Sequence, residues 1–135
     1  MKKSNVTDTY GNALIYDTCY LVYDQEPVIF KCHFEGDPPE IQFIGIMVDM
    51  FDASEYGGDE GELVMNYYLA TVNDAIVYNL ESRNYTLHDL FHTGHLTWIT
   101  HRYSETNKKH STIMQIHARI ASRYQIAKDS TLCQN

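Results

Sequence analysis

The chain has 135 residues, 44% hydrophobic and 21% charged, a make-up that excludes wholesale disorder and is long enough to bury a core. Its net charge of −8 is uneven: 14 Asp and Glu face 3 Lys and Arg over residues 1–80, and 4 face 7 over residues 81–135. That balance weighs against direct nucleic-acid binding, and no apolar run reaches the roughly 20 residues a membrane helix needs.

The opening Met1-Lys2-Lys3-Ser4-Asn5 leads into no apolar signal-peptide core, so the expected setting is the cytosol, with Cys19, Cys32 and Cys133 reduced. Residues 1–9 are polar and expected to be loose. Thr9-Tyr10-Gly11-Asn12 is a turn by composition, because Gly and Asn tolerate positive φ. Ala13–Tyr16 is a short strand candidate.

Cys19–Tyr23 and Val28–Cys32 are rich in β-branched and aromatic residues, with Asp24-Gln25-Glu26-Pro27 as the turn between them. A hairpin centred on Gln25 and Glu26 pairs Tyr23 with Val28, Leu21 with Phe30 and Cys19 with Cys32, all on one face. Opposed in this way the two cysteines have disulfide geometry, although a reducing cell favours two buried thiols. Glu35-Gly36-Asp37-Pro38-Pro39 is a loop, and Ile41–Met50 is apolar enough for a strand buried on both faces. This order of turn, strand, turn, strand, loop and strand resembles the hairpins of small SH3-like β-barrels; no functional residues come with the resemblance.

Phe51–Gly61 is acidic and Gly-rich. Leu63–Leu80 contains neither Gly nor Pro, and its length favours a helix carrying Val64, Tyr67, Tyr68, Thr71, Ala75 and Tyr78 on one stripe. The alternative is a hairpin of Leu63–Val72 and Ala75–Leu80 about Asn73-Asp74. Thr86–Phe91 is a short helix stopped by Gly94, and Leu96–Ile99 a short strand. Thr112–Ala127 is expected as a longer helix: Thr112 and Gln115 form a capping box, and Ile113, Ile116, Ile120 and Tyr124 a core stripe. The expected fold is therefore a single α+β domain, an N-terminal antiparallel β unit followed by a mainly helical C-terminal part, with 129–135 frayed.

Three patterns carry candidate chemistry. From Cys32 to Ser82 there is no Lys or Arg, while there are 11 Asp and Glu. The part free to act is the loop from Asp49 to Glu62, and its candidate binding residues are Asp49, Asp52, Glu55, Tyr56, Asp59, Glu60 and Glu62. Such a surface suits a partner protein with a basic face, a nucleic-acid-binding protein among them, because carboxylates can occupy a groove built for phosphates. The same segment is a near miss for a calcium loop: Tyr56 and Leu63 stand where an oxygen ligand and the closing Glu belong.

The second pattern is histidine. Six of seven fall between 88 and 117, and His88-Asp89-Leu90-Phe91-His92 places two imidazoles at i and i+4, with His95 as a third zinc ligand and Asp89 in the place of the base in H-E-x-x-H. No C-x-x-C accompanies them. Third, His95-Leu96-Thr97 and His110-Ser111-Thr112 match the H-x-T of the two-histidine phosphoesterases, which need the two motifs facing each other across a cleft. Neither a nucleophile elbow nor a phosphate-binding loop is present.

The expectation is a small non-enzymatic binding protein, an inhibitor or nucleic-acid mimic of the kind that viruses and mobile elements encode, acting in the host cytoplasm. The alternatives are a zinc-dependent hydrolase using His88, Asp89, His92 and His95, and a structural subunit that oligomerises through an apolar sheet edge or a tyrosine patch.

Overall fold

The computed structural model describes residues 2–8, 10–23, 26–52, 62–92, 95–103 and 110–117, together with 126 and 130–132. Seven strands run β1 (Lys2–Thr7), β2 (Ala13–Tyr23), β3 (Glu26–Phe34), β4 (Gln42–Asp52), β5 (Leu63–Val72), β6 (His95–Tyr103) and β7 (His110–His117). Two short helices, α1 (Asp74–Glu81) and α2 (Leu87–Phe91), lie between β5 and β6. The strands form one antiparallel sheet in the order β1 to β7, each paired with its neighbour in sequence. The sheet curls into a half-barrel, bringing its first and last strands near each other.

The mainly helical C-terminal part is thus corrected: the described chain is mostly antiparallel β. Thr112–His117 belongs to β7, which pairs with β6 in unbroken register from Arg102↔His110 to His95↔His117. β6 offers an open ladder of backbone donors and acceptors, and the β-branched Thr112, Ile113 and Ile116 fit a pleated strand as readily as a helix face. Of the rest of the expected helix only Ile126 is described, as a buried core residue in no helix, and Ile120 and Tyr124 lie outside the described residues. Leu63–Leu80, expected as a helix with a hairpin as the alternative, is divided: the first ten residues are β5, and Asn73 caps α1 by accepting from the Ile76 amide at 2.8 Å.

β5 is ambiguous in sequence because both its faces are buried. Met65, Tyr67 and Leu69 point into the curl, where they pack with Val6, Leu14, Tyr16, Phe30, Cys32, Phe34 and Ile99. Tyr68, Ala70 and Val72 point outward onto a second core made by Val77, Leu80, Leu87, Leu90 and Phe91 of the helices. Period-two alternation of apolar and polar residues disappears where both faces are covered. Two residues near the C-terminus join this core: the Leu87 amide donates to the Ser130 carbonyl at 2.9 Å, and Leu132 is fully buried.

The polar first residues form β1, and the turn that follows is held by Asp8, whose Oδ1 accepts from the amides of Tyr10 and Asn12 at 2.9 Å each. In the next hairpin the expected register is displaced. Tyr23 pairs with Glu26, Cys19 with Phe30 and Tyr16 with Cys32, with three irregularities along β2. Each bulge adds a residue and reverses which side the following side chains face. Cys19 is consequently exposed and Cys32 fully buried; both are free.

Inside the curl the Phe30 ring lies on the backbone of Gly45. A Cβ at that position would overlap Phe30 and come within 2.7 Å of Leu69 Cδ2. Gly45→Ala should therefore destabilise the protein by roughly 1–3 kcal/mol through overpacking. Urea unfolding should show a lower midpoint at an unchanged slope.

Candidate functional site

A curled sheet tapers unless side chains fill it, and here they fill it incompletely. A cavity of about 340 Å³ remains inside the curl, at the low end of the volumes of small-ligand pockets. It sits at the end of the sheet where β2 passes to β3, β4 to β5 and β6 to β7. Lys3 and Ser4 of β1, with Glu26 and Pro27 of β3, line its outer part. Tyr16, Tyr67 and His101 line it more deeply, with Leu63 and Met65 as apolar wall. The exposures give the direction of entry: the Lys3 side chain is 65% exposed, whereas Tyr67 and His101 are each at 2%.

The two tyrosines reach each other across the curl from β2 and β5. Each phenol perturbs the other, and the Tyr67 hydroxyl donates to Met65 Sδ at 3.4 Å. Phe30 sets their places, meeting Tyr16 edge-on with centroids 4.8 Å apart and Tyr67 at 6.0 Å. Burial, then the negative charge of Glu26, pushes the Tyr67 phenol up to about 12. Tyr16 is raised further, by burial first and then by the neighbouring Tyr67, Cys32 and Glu26. Both hydroxyls are protonated throughout the physiological range and are fixed as donors. Burial likewise pushes the Cys32 thiol up, which removes it as a nucleophile.

The sequence-derived candidates fall elsewhere or at the rim. Asp49 and Asp52 lie half-buried near the end of β4, opposite Asn66 and Leu63. Glu62 just precedes β5, and its side chain is 14% exposed and ion-paired with Arg102 of β6. The loop has a compensating base after all, supplied by a strand 40 residues on. Glu55, Tyr56, Asp59 and Glu60 lie outside the described residues. Asp52 ends β4 and Glu62 precedes β5, next to Leu63 of the cavity wall, so the two described ends of the acidic segment stand at the cavity's open end.

His88 and His92 do share one side of α2, but their rings stack at 4.0 Å and 17°. Lone pairs in parallel planes do not converge on one ion. His92 Nδ1 donates to the His88 carbonyl at 2.9 Å. Asp89 completes a capping box with Thr86, whose hydroxyl and backbone hold its carboxyl below the usual range. The side chain of His95 lies outside the described residues, and no group of three or more metal-ligating side chains occurs among the described ones. The two H-x-T motifs stand on adjacent strands but at opposite ends: His110 pairs with Arg102, seven residues along β6 from His95, or ~23 Å.

The cavity residues carry no motif, and no spacing rule picks out Tyr16, Tyr67 and His101. No helix among the described residues is long and apolar enough to cross a membrane. Compared with protein families, curated proteins and solved structures, the chain finds no match.

The phenols provide a test of this geometry. Unfolded tyrosines ionise near pH ~10, before the buried pair does, so the unfolded state releases protons first and stability falls as pH rises from about 10 through about 12. Urea midpoints should drop between about pH 9 and about pH 11, and Tyr67→Phe should remove part of that drop.

Proposed function

We propose that the protein is a binding module that takes a small molecule into the curl of its sheet. The supporting observation is the cavity itself, in which Tyr16, Tyr67 and His101 are collected beside the apolar Val6, Leu63 and Met65, with Lys3, Ser4 and Glu26 toward its mouth. Concave sites with few, fixed polar groups orient ligands by those groups and hold them by the apolar remainder. Nothing in the arrangement calls for covalent chemistry: the cavity contains no activated nucleophile, and its tyrosines are held neutral. A cytosolic setting agrees with free Cys19 and Cys32 among the described residues.

The test is a saturation-transfer NMR screen with small neutral, anionic and cationic fragments. Bound fragments should lose at least about tenfold in affinity when Met65→Trp fills the cavity, with native circular dichroism retained. Ser4→Phe fills the outer part by an independent route. Fragments that bind both variants unchanged would place binding outside the curl.

A second reading is favoured by the charge of the chain. The acidic segment rooted at Asp52 and Glu62 would meet a basic protein surface, as an inhibitor or nucleic-acid mimic does. Replacing Asp52, Glu55, Asp59 and Glu60 by Ser should weaken capture of such a partner from a host lysate and flatten its dependence on salt. Unchanged capture with unchanged salt dependence would remove this reading.

A further inference from the structure

The chemistry of the cavity wall narrows what can enter it, if ligands bind there as proposed above. The Tyr67 hydroxyl is spent on a weak partner: it gives its hydrogen to the thioether of Met65 at 3.4 Å. Thioether sulfur is a weak acceptor. A carbonyl oxygen arriving at that point would offer the Tyr67 hydrogen a stronger partner, and Met65 loses little by giving it up.

The charges at the open end exclude one class of acceptor. Lys3 is the cation of the wall, and it is paired with Glu35 at 3.5 Å. Glu26 lines the same part, and its field acts against negative charge at both phenols. The acidic segment is rooted alongside, on a chain of net charge −8. A carboxylate or phosphate would approach against this potential and end beside Glu26.

Cations fare poorly for a different reason. The deep groups are two phenols and the imidazole of His101, and the deep wall holds no carboxylate. An ammonium drawn past Glu26 would lose its hydration with no counter-charge to replace it. The apolar lining of Leu63, Met65 and Pro27 receives hydrocarbon instead.

We propose that the cavity selects uncharged carbonyl compounds with a compact apolar body, such as ketones, aldehydes and amides, whose oxygen accepts the Tyr67 hydroxyl hydrogen in place of Met65. Acceptor and body are recognised together: the oxygen by one fixed donor, the body by apolar wall and tyrosine faces.

The experiment is titration of the full chain with five probes of similar size: acetophenone, benzamide, benzoate, benzylamine and toluene, followed by saturation-transfer NMR or calorimetry. Acetophenone and benzamide should bind roughly five- to tenfold tighter than the other three, the worth of one hydrogen bond without a charge penalty. Tyr67→Phe keeps the ring and removes the donor; it should cut acetophenone binding roughly five- to tenfold and leave toluene unchanged. Tyr16→Phe, which leaves the Tyr67 donor in place, should change acetophenone affinity less, and melting curves confirm that both variants fold. Preference for benzoate or benzylamine, or acetophenone binding that ignores Tyr67→Phe, overturns the proposed ligand class while leaving a binding cavity. Absence of binding by all five probes overturns both the class and the cavity as a binding site.

Discussion

Phe30 holds the inside of the half-barrel together. Its ring rests on the bare backbone of Gly45 and meets Tyr16 and Tyr67 by their edges. This one contact links β2, β3, β4 and β5. It lets β3 and β4 lie closely enough for the sheet to curl, and it places two phenols across the curl from each other. The space left beyond them is the cavity. Any residue at position 45 with a Cβ would push the ring toward the tyrosines, so the packing of the core and the shape of the site are one constraint.

The outer core does a separate task. α1 and α2 cover the other face of β5, and the residues at 130–132 fasten over α2. With both faces buried, β5 is a rigid rail. Tyr67 and Met65 project from it on one side, while Tyr68 stacks obliquely with Trp98 at 5.0 Å on the other. A polar chain from Trp98 Nε1 to Thr100 and on to Asn66 ties β6 to the same rail. Donor groups held on such elements keep their direction in the absence of ligand, which lowers the cost of binding.

Much of the strand content was legible. β2, β3, β4 and β6 stood out by β-branched and aromatic residues, and α2 by its start after Thr86. The misreadings share a cause. Leu63–Val72 looked helical because burial on both faces erased its alternation. Thr112–His117 looked helical because Thr112 and Gln115 imitate a cap and the isoleucines sit three apart, a spacing that a strand next to an open β6 ladder overrides. The β2–β3 register slipped because bulges cannot be read from composition. The histidine pair on α2 was correctly placed on one helix side, yet its rings stack and its intervening Asp89 is engaged in capping.

By itself the sequence determined which segments could become strands, the sign and distribution of charge, and the absence of motifs for nucleophilic or phosphate chemistry. These follow from local preference and simple counting. The tertiary structure alone decided the curl, the pairing of Glu62 with Arg102, and the meeting of Tyr16, Tyr67 and His101 from three strands. Those depend on register and on contacts between residues far apart in the chain. A register shift of one residue turns an inward tyrosine outward, and composition carries no record of it.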